Sequence, residues 1–490
     1  MHPLDLTIFI VYMVALMAIG FYFMRKNKST ADFFVSDKNI SSWHIGLSVV
    51  ATDVGGGFSI GLGGLGFVMG LSGSWMLFTG LIGAWLSAVI LIPKVYQLGA
   101  DKQFTTFPQL FNHYYNRKVA LAAGIISAIG YMGFTSSQIL AGAKLAAASF
   151  VDLDITSALL IMGMVTIVYT VMGGMTAVIY TDTVQWIVLM LGLILVGIPL
   201  SFHAIGGWEA IHHSIRPEML SLSSVKWQTL VNWGITIIPI WFVGMTLYQR
   251  IYASKSEKAA KKAWFIAGLF EWPLMAFMGV LLGLFGRVAV DQGMFTELGF
   301  PSAASMDPEL GLPLLLRQIL PVGLMGVMMS AYFSAVLSTA DSCLMAASGN
   351  VFTDILLRFF PNLAHHPKVL PFTQVLTLVL GILSMYLAAN MKNVLELMLY
   401  SYAFMVSGLL VPLVAAMFFK QTNGSAALAS MLTGGTVTVA LTSSKIALPL
   451  ELDANIFGIL TSLFVFLIVL YFTNPNNNEF HSDYSPVGRK

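Results

Sequence analysis

The chain reads as an all-α polytopic membrane protein, and three observations predict that class. Charged residues make up 10% of the 490 residues and hydrophobic ones 57%, whereas soluble proteins carry about 25% charged residues. Mean hydropathy is +0.80. Apolar stretches of about 20 residues, each a bilayer thickness as a helix, recur from end to end. The short alternating segments of a membrane β-barrel are missing.

About thirteen spans account for the pattern. They cover residues 5–24, 43–70, 72–97, 119–148, 154–173, 176–202, 231–253, 261–287, 313–345, 367–390, 394–419, 424–446 and 452–473. The first is followed by Arg25, Lys26 and Lys28 rather than a small-residue cleavage site, so it reads as a retained span. The positive-inside rule places the N-terminus outside the cell membrane. The cytoplasmic loops then hold Arg117, Lys118, Arg250, Lys255, Lys258, Lys261 and Lys262, while the acidic segments 149–157 and 291–310 fall outside. The polar tail 474–490 reads as disordered and cytoplasmic. A single cysteine, Cys343, leaves no disulfide framework. No GxxxxGK[ST] phosphate loop is present, so ATP drive is not expected. The bilayer is the expected environment; neither a nucleic acid nor an obligate protein partner is indicated.

The second span contains SVVATDVGGGFSIGLGGLGFVMG, residues 48–70. A lone carboxylate in a span costs roughly 3 kcal/mol, so Asp53 needs a partner or a wet cavity. No basic residue stands at its depth in any span, which leaves an ion or a solute as the expected partner. Gly55, Gly56 and Gly57 follow directly and predict a break in the helix. Carbonyls freed at a break suit a hard monovalent cation, and half-helix ends suit a charged solute.

The ninth span carries a polar stripe. Ala335, Ser338, Thr339 and Ser342 fall at i, i+3, i+4 and i+7, with Asp341 at the border of that face. One hydroxyl in a span ordinarily bonds the carbonyl four residues back. Three hydroxyls and a carboxylate packed into one short stretch form a set of hard oxygen ligands instead. A third acid, Asp182, lies in YTVMGGMTAVIYTDTVQ, residues 169–185, beyond a turn predicted at Gly173-Gly174. At about 9 Å into its span, Asp182 comes within reach of a cation shared with Ser338, Asp341 and Ser342. Of the other polar residues, Lys144 is expected to snorkel to the membrane edge. Glu271 reads equally as a functional acid or a structural hydrogen-bonding group. His203, His212 and His213 lack metal-ligand spacing.

Taken in order, ATDVGGG, Y-T-x-x-G-G-x-x-A-V-x-x-T-D-T-V-Q, AGAK at 141–144, LYQRIYAS at 247–254 and SAVLSTADS at 334–342 resemble the sodium/solute symporter family over about residues 5–475. The resemblance implies a leucine-transporter-type fold in one transporter domain. A leading helix and loop, 5–42, would precede inverted repeats at 43–202 and 231–419, with trailing helices at 424–473. The broken second span and a seventh span interrupted by Pro239 would be symmetry partners. It implies a main Na⁺ site formed by the carbonyls of Ala51, Val54 and Ala335 and the hydroxyls of Ser338 and Thr339, with Asp53 linked to the cation. It implies a second Na⁺ position at Asp182, Asp341, Ser338 and Ser342. By position, the solute pocket would be lined by Gly56, Phe58, Phe134, Ser137, Gln138, Trp241, Met245 and Tyr402. The choline branch has tryptophans where Asp53 and Gly244 stand. The proline branch has a tyrosine at Phe134 and a proline at Met245.

The expected function is Na⁺-coupled import of a small polar organic solute, amino-acid-like or zwitterionic, such as proline. Within the same fold, a proton-coupled symporter or one for carboxylates, pantothenate or sugars stays open. A membrane sensor using the fold as its input module is the alternative of another class. No nucleophile set, His-rich metal set or cofactor motif points to an enzyme.

Overall fold

The computed structural model describes residues 2–26, 41–53, 55–150, 153–444 and 446–473. Val54 and the tail 474–490 lie outside the described residues, as do the surroundings of Asp53, Gly56, Phe58 and Asp182. The described residues are helical for most of their length. In order run α1 (Pro3–Lys26), α2 (Ser42–Asp53), α3 (Gly55–Met69), α4 (Trp75–Ile90), α5 (Arg117–Ser149), α6 (Ile155–Gly192), α7 (Trp227–Val243) and α8 (Met245–Ala253). They are followed by α9 (Glu257–Leu269), α10 (Ala276–Asp291), α11 (Leu324–Gly349), α12 (Val369–Ala389), α13 (Val394–Phe418), α14 (Gly424–Ser444) and α15 (Ala454–Thr473), with short helices in the connections.

Among the described residues, 11 helices are long and apolar enough to span, or 12 if α7 and α8 count as one bent span. The difference from the thirteen expected lies in the second span. The expected second span is covered by α2 and α3 on either side of residue 54, which lies outside the described residues, and the Ser59–Ile90 stretch counts as one with the third span. The second break sits later than expected. Pro239 lies inside α7, and the chain instead bends by 42° at Gly244. A proline removes one ladder bond and can be carried within a helix whose neighbours support it. Gly244 is extended, with φ −74 and ψ 114, so the ladder stops there. At Gly173-Gly174, where a turn is expected, α6 runs on as continuous helix but is not straight. Tyr169 Oη lies 3.2 Å from Thr181 Oγ1, yet twelve residues of straight helix span about 18 Å. α6 is therefore bent between them.

α11 is the axis of the bundle. Of its most apolar stretch 94% is buried, against 17% for α15 at the periphery. A helix without lipid contact can carry polar side chains that an outer helix cannot. The outer half-helix α3 packs on α10 with backbones touching. A Cβ on Gly283 would stand 1.9 Å from the Gly63 carbonyl oxygen, and one on Gly66 2.1 Å from that of Val280. Only small residues allow such an approach.

Lys144 does not snorkel. It is 4% exposed, and its Nζ lies 2.6 Å from Asp307 and 2.5 Å from Glu309. Glu309 also accepts the N–H groups of Val394 and Leu395, both at 3.0 Å, in the first turn of α13. The segment 307–310 thus covers the end of α5, removes the water that snorkelling requires, and caps α13.

Two outcomes are expected from this packing. Gly283→Ala forces α3 and α10 apart and lowers the melting temperature of the detergent-solubilised protein. Lys144→Met leaves two carboxylates with no cation between them and costs about 3–5 kcal/mol. Chemical denaturation should show this loss, and a combined Lys144→Met/Glu309→Gln variant should recover part of it.

Candidate functional site

A helix that ends inside a bilayer exposes its last carbonyls and the next helix's first N–H groups, and hydrocarbon offers them no partner. Side chains meet such groups both around residue 54, where the first break is expected, and at Gly244, where the chain bends. At the first, the Ala51 carbonyl in the last turn of α2 accepts the Thr339 hydroxyl of α11 at 2.9 Å. The Gly57 N–H in the first turn of α3 donates to Gln138 Oε1 of α5 at 3.1 Å. A Cβ on Gly57 would come within 2.3 Å of that oxygen, so glycine is what admits the amide. At the second break, the Phe242 carbonyl accepts the Tyr248 hydroxyl at 2.7 Å, and the Thr246 N–H donates to Tyr131 Oη at 3.2 Å. Tyr131 and Gln138 lie two turns apart on one face of α5. The N-termini of α3 and α8, each the positive end of a helix dipole, therefore both abut α5.

Three of the oxygens expected at the main cation position stand together. The Thr339 hydroxyl lies 2.9 Å from the Ala51 carbonyl and 3.2 Å from that of Ala335. A hydroxyl has one proton and donates to one acceptor at a time, so that proton is shared between two carbonyls. Ser338 is buried one residue away. These oxygens are hard ligands of the kind a small monovalent cation takes. Val54, the remaining expected ligand, lies outside the described residues.

The other acid and hydroxyl of α11 face different neighbours. Asp341 accepts the hydroxyl of Thr170 on α6. Ser342 accepts Thr52 Oγ1 of α2 at 3.2 Å and Arg250 Nη2 of α8 at 3.0 Å. The structure thus directs two residues of the expected second cation position toward different helices. The surroundings of Asp182, the third, are not described.

Arg250 corrects the sequence reading. The linear sequence puts it in a cytoplasmic loop, yet it is fully buried. Its guanidinium reaches Ser48 and Thr52, the latter next to Asp53 in sequence. A basic group does therefore stand at this depth. α8 continues the span past the break as a second half-helix, and hydroxyls replace the water a loop arginine would have. Thr170, Tyr131 and Tyr248 were also missed, although Thr170 lies within the quoted YTVMGG stretch.

The expected solute residues divide into two groups. Phe134 and Tyr402 meet edge to face, with centroids 5.0 Å apart. Gln138 Nε2 lies 3.6 Å from Met398 Sδ, and Ser137 donates to the Phe134 carbonyl at 2.7 Å. These residues adjoin the start of α3. Trp241 packs elsewhere: a Cβ on Gly83 of α4 would stand 2.4 Å from its ring, and Trp264 lies edge-on at 6.3 Å. Met245 Sδ accepts the Phe107 N–H at 3.1 Å. A cavity of about 760 Å³ opens beside Glu309, lined among others by Gly61, Trp233, Glu396, Tyr400 and Asn455.

The family model described as Sodium:solute symporter family matches residues 33–434. The osmoregulated proline transporter OpuE of Bacillus subtilis is 25% identical over 477 residues, covering 94% of each chain. The high-affinity proline transporter PutP of the same organism is 25% identical, covering 86% of this chain and 89% of its own. Human sodium/myo-inositol cotransporter 2 is 28% identical over 89% of this chain and 69% of its own length. Among solved structures, a Na⁺-coupled sialic acid symporter superposes with a TM-score of 0.77 at 19% identity, over 96% of this chain and 98% of that one. The nucleobase-cation-symport-1 transporter Mhp1 gives 0.57 at 13%, over 91% and 95%. These two superpositions establish the fold.

Replacing Thr339 by valine keeps the volume and strands the Ala51 carbonyl. A buried acceptor left unmet costs about 1–3 kcal/mol. Thr339→Val should lower stability in cation-free buffer by that amount in a denaturation midpoint measurement, and Thr339→Ser should not.

Proposed function

The chain belongs to the sodium:solute symporter family, and from that premise we propose that it imports a small zwitterionic solute of amino-acid type together with Na⁺. The observation that carries this reading is the convergence of the Ala51 and Ala335 carbonyls on the Thr339 hydroxyl, beside the expected break between α2 and α3. Na⁺ there would replace one shared proton with a charge that satisfies all three oxygens at once. Ser338 and Val54 would complete the shell, and Asp53 would balance the charge.

The solute class is supported by the half-helix starts. α3 and α8 present first-turn N–H groups toward α5, and helix N-termini favour a carboxylate. Gln138 and Ser137 would supply polar contacts, and Phe134 and Tyr402 apolar faces. Gly56 and Phe58 would join from α3; Trp241 and Met245 would contribute only after rotating from their present packing. The proline transporters among the relatives agree in class. In the proposed orientation, with the N-terminus outside and the tail cytoplasmic, the cavity beside Glu309 is the outer approach. A 100 mV potential then contributes roughly 2.3 kcal/mol per Na⁺ carried inward. Ion and solute each raise the other's affinity by the same factor.

A melting-temperature series on purified protein tests this. Na⁺, K⁺ and choline salts are compared at fixed ionic strength, with and without amino acids, betaines, sugars and carboxylates. Ligand at a hundred times its dissociation constant adds about 2.7 kcal/mol. The expected result is Na⁺-specific stabilisation, deepened by an amino-acid-type solute and lost in Thr339→Val. A solute shift that follows pH and ignores Na⁺ would move the coupling to protons and overturn the sodium site.

A further inference from the structure

Arg250 has no part in the ligand sets considered so far, yet it is among the largest fully buried side chains. It stands on α8, the second half of the broken seventh span. Its Nε and Nη2 lie 3.2 and 3.1 Å from Ser48 Oγ on α2, the first part of the second span, whose break is expected after Asp53. Nη2 also reaches Thr52 on α2 and lies 3.0 Å from Ser342 on α11. Nη1 is 3.1 Å from the Thr246 carbonyl one turn back on its own helix. Thr52 donates onward to Ser342 at 3.2 Å.

Three physical points give this arrangement a role. First, a guanidinium holds several acceptors in a fixed plane, which an ammonium does not. The two half-helices and α11 are therefore held by one rigid group. Second, the contacts fall on Ser48 and Thr52, which flank Ala51 on α2. The separation of α2 from α11 at this level is the separation on which the Ala51–Thr339 contact depends. Third, a hydroxyl has two acceptor lone pairs. Ser342 spends both, one on Thr52 and one on Arg250, so its oxygen is an anchor for the arginine and has none left for a cation.

We infer that Arg250 is the positioning residue of the main cation site. It ties the cytoplasmic halves of the two broken spans together, so that α2 and α8 move as one body and the Na⁺ oxygens separate only when α8 withdraws. Solute at the α5 face bears on the start of α8, and the arginine carries that displacement to α2 and to the ion. The inference rests on the sodium-coupled reading.

The test is the Na⁺ concentration at half-maximal thermal stabilisation, read for the wild type, Arg250→Met, Arg250→Lys and Ser48→Ala. Ser48→Ala removes two guanidinium contacts and no candidate ligand, so it carries the test if Arg250→Met does not fold. The half-maximal Na⁺ concentration should rise at least tenfold in Arg250→Met and roughly threefold in Ser48→Ala. Arg250→Lys should fall between wild type and the methionine variant. Solute-free ²²Na⁺ efflux from proteoliposomes should also rise in the methionine variant, because α2 is then free to open without α8. A wild type that ignores Na⁺ overturns the sodium-coupled reading itself. A wild type that responds, with folded variants keeping its half-maximal concentration and its solute-free efflux, overturns the role of Arg250 alone.

Discussion

A helix that stops halfway through a bilayer leaves carbonyls that its own ladder cannot use, and lipid supplies no substitute. In this chain the last turn of α2 hands one of them, that of Ala51, to the hydroxyl of Thr339. Almost everything about the central helices follows from satisfying that carbonyl and its counterparts. The Gly57 N–H requires an acceptor and finds Gln138; Phe242 and Thr246 at the second break find Tyr248 and Tyr131. Three of these four repairs bring a side chain from a helix distant in sequence, and the fourth, Tyr248, comes from the adjoining half-helix. A broken span is therefore also a convergence of polar groups from several helices, in surroundings where each hydrogen bond is electrostatically strong.

Convergence of that kind needs close helices, and the glycines provide them. Gly57 admits the Gln138 amide, while Gly63, Gly66 and Gly283 let α3 and α10 pack backbone to backbone. The glycine run of the second span therefore does two jobs. Among its first members, Gly57 admits the amide of Gln138 that accepts its N–H. Its later members lock the outer half-helix to α10, so that outer half has a rigid neighbour. The inner half-helix α2 is held by polar contacts from Thr339 and Arg250. Apolar contact on one side of the break and hydrogen bonds on the other give the two halves different kinds of attachment.

Features set by a local pattern were legible in the sequence. The spans follow from runs of apolar residues, and the stripe on α11 from its 3.6-residue period. Contact of Thr339 with Ala51 follows once that stripe faces the break. Features set by who covers whom were not legible. Lys144 reads as a snorkelling lysine because nothing local announces that Asp307 and Glu309 fold over it. Arg250 reads as a loop residue because the half-helix that buries it starts at Gly244, whereas the visible helix breaker is Pro239. Ser342 and Asp341 are neighbours in sequence, yet a step of 100° turns one toward α2 and the other toward α6. Trp241 and Met245 lie on the right span, but their rotamers are decided by Gly83 and Phe107, residues far away in the chain.

The shared proton of Thr339 bears on how a coupled cycle can run at all. A symporter must reorient when loaded with both ligands and again when empty, but not with the ion alone. A cage of bare carbonyls would meet the first demand and fail the second, since two facing carbonyl dipoles repel once the ion has left. With a hydroxyl between them, the empty site keeps one hydrogen bond, worth about 0.5–1.5 kcal/mol net, in place of the ion. That is enough to keep α2 against α11 without a cation, and little enough for a desolvated Na⁺ to displace. A carboxylate in place of Thr339 would bind the cation more tightly, yet its empty state would bury an unpaired charge beside two carbonyls. A methyl group would leave the Ala51 carbonyl without this hydrogen bond whenever the site is empty. A neutral hydroxyl, able to donate when the site is empty and to accept the ion when it is full, is the side chain that tolerates both halves of the proposed cycle.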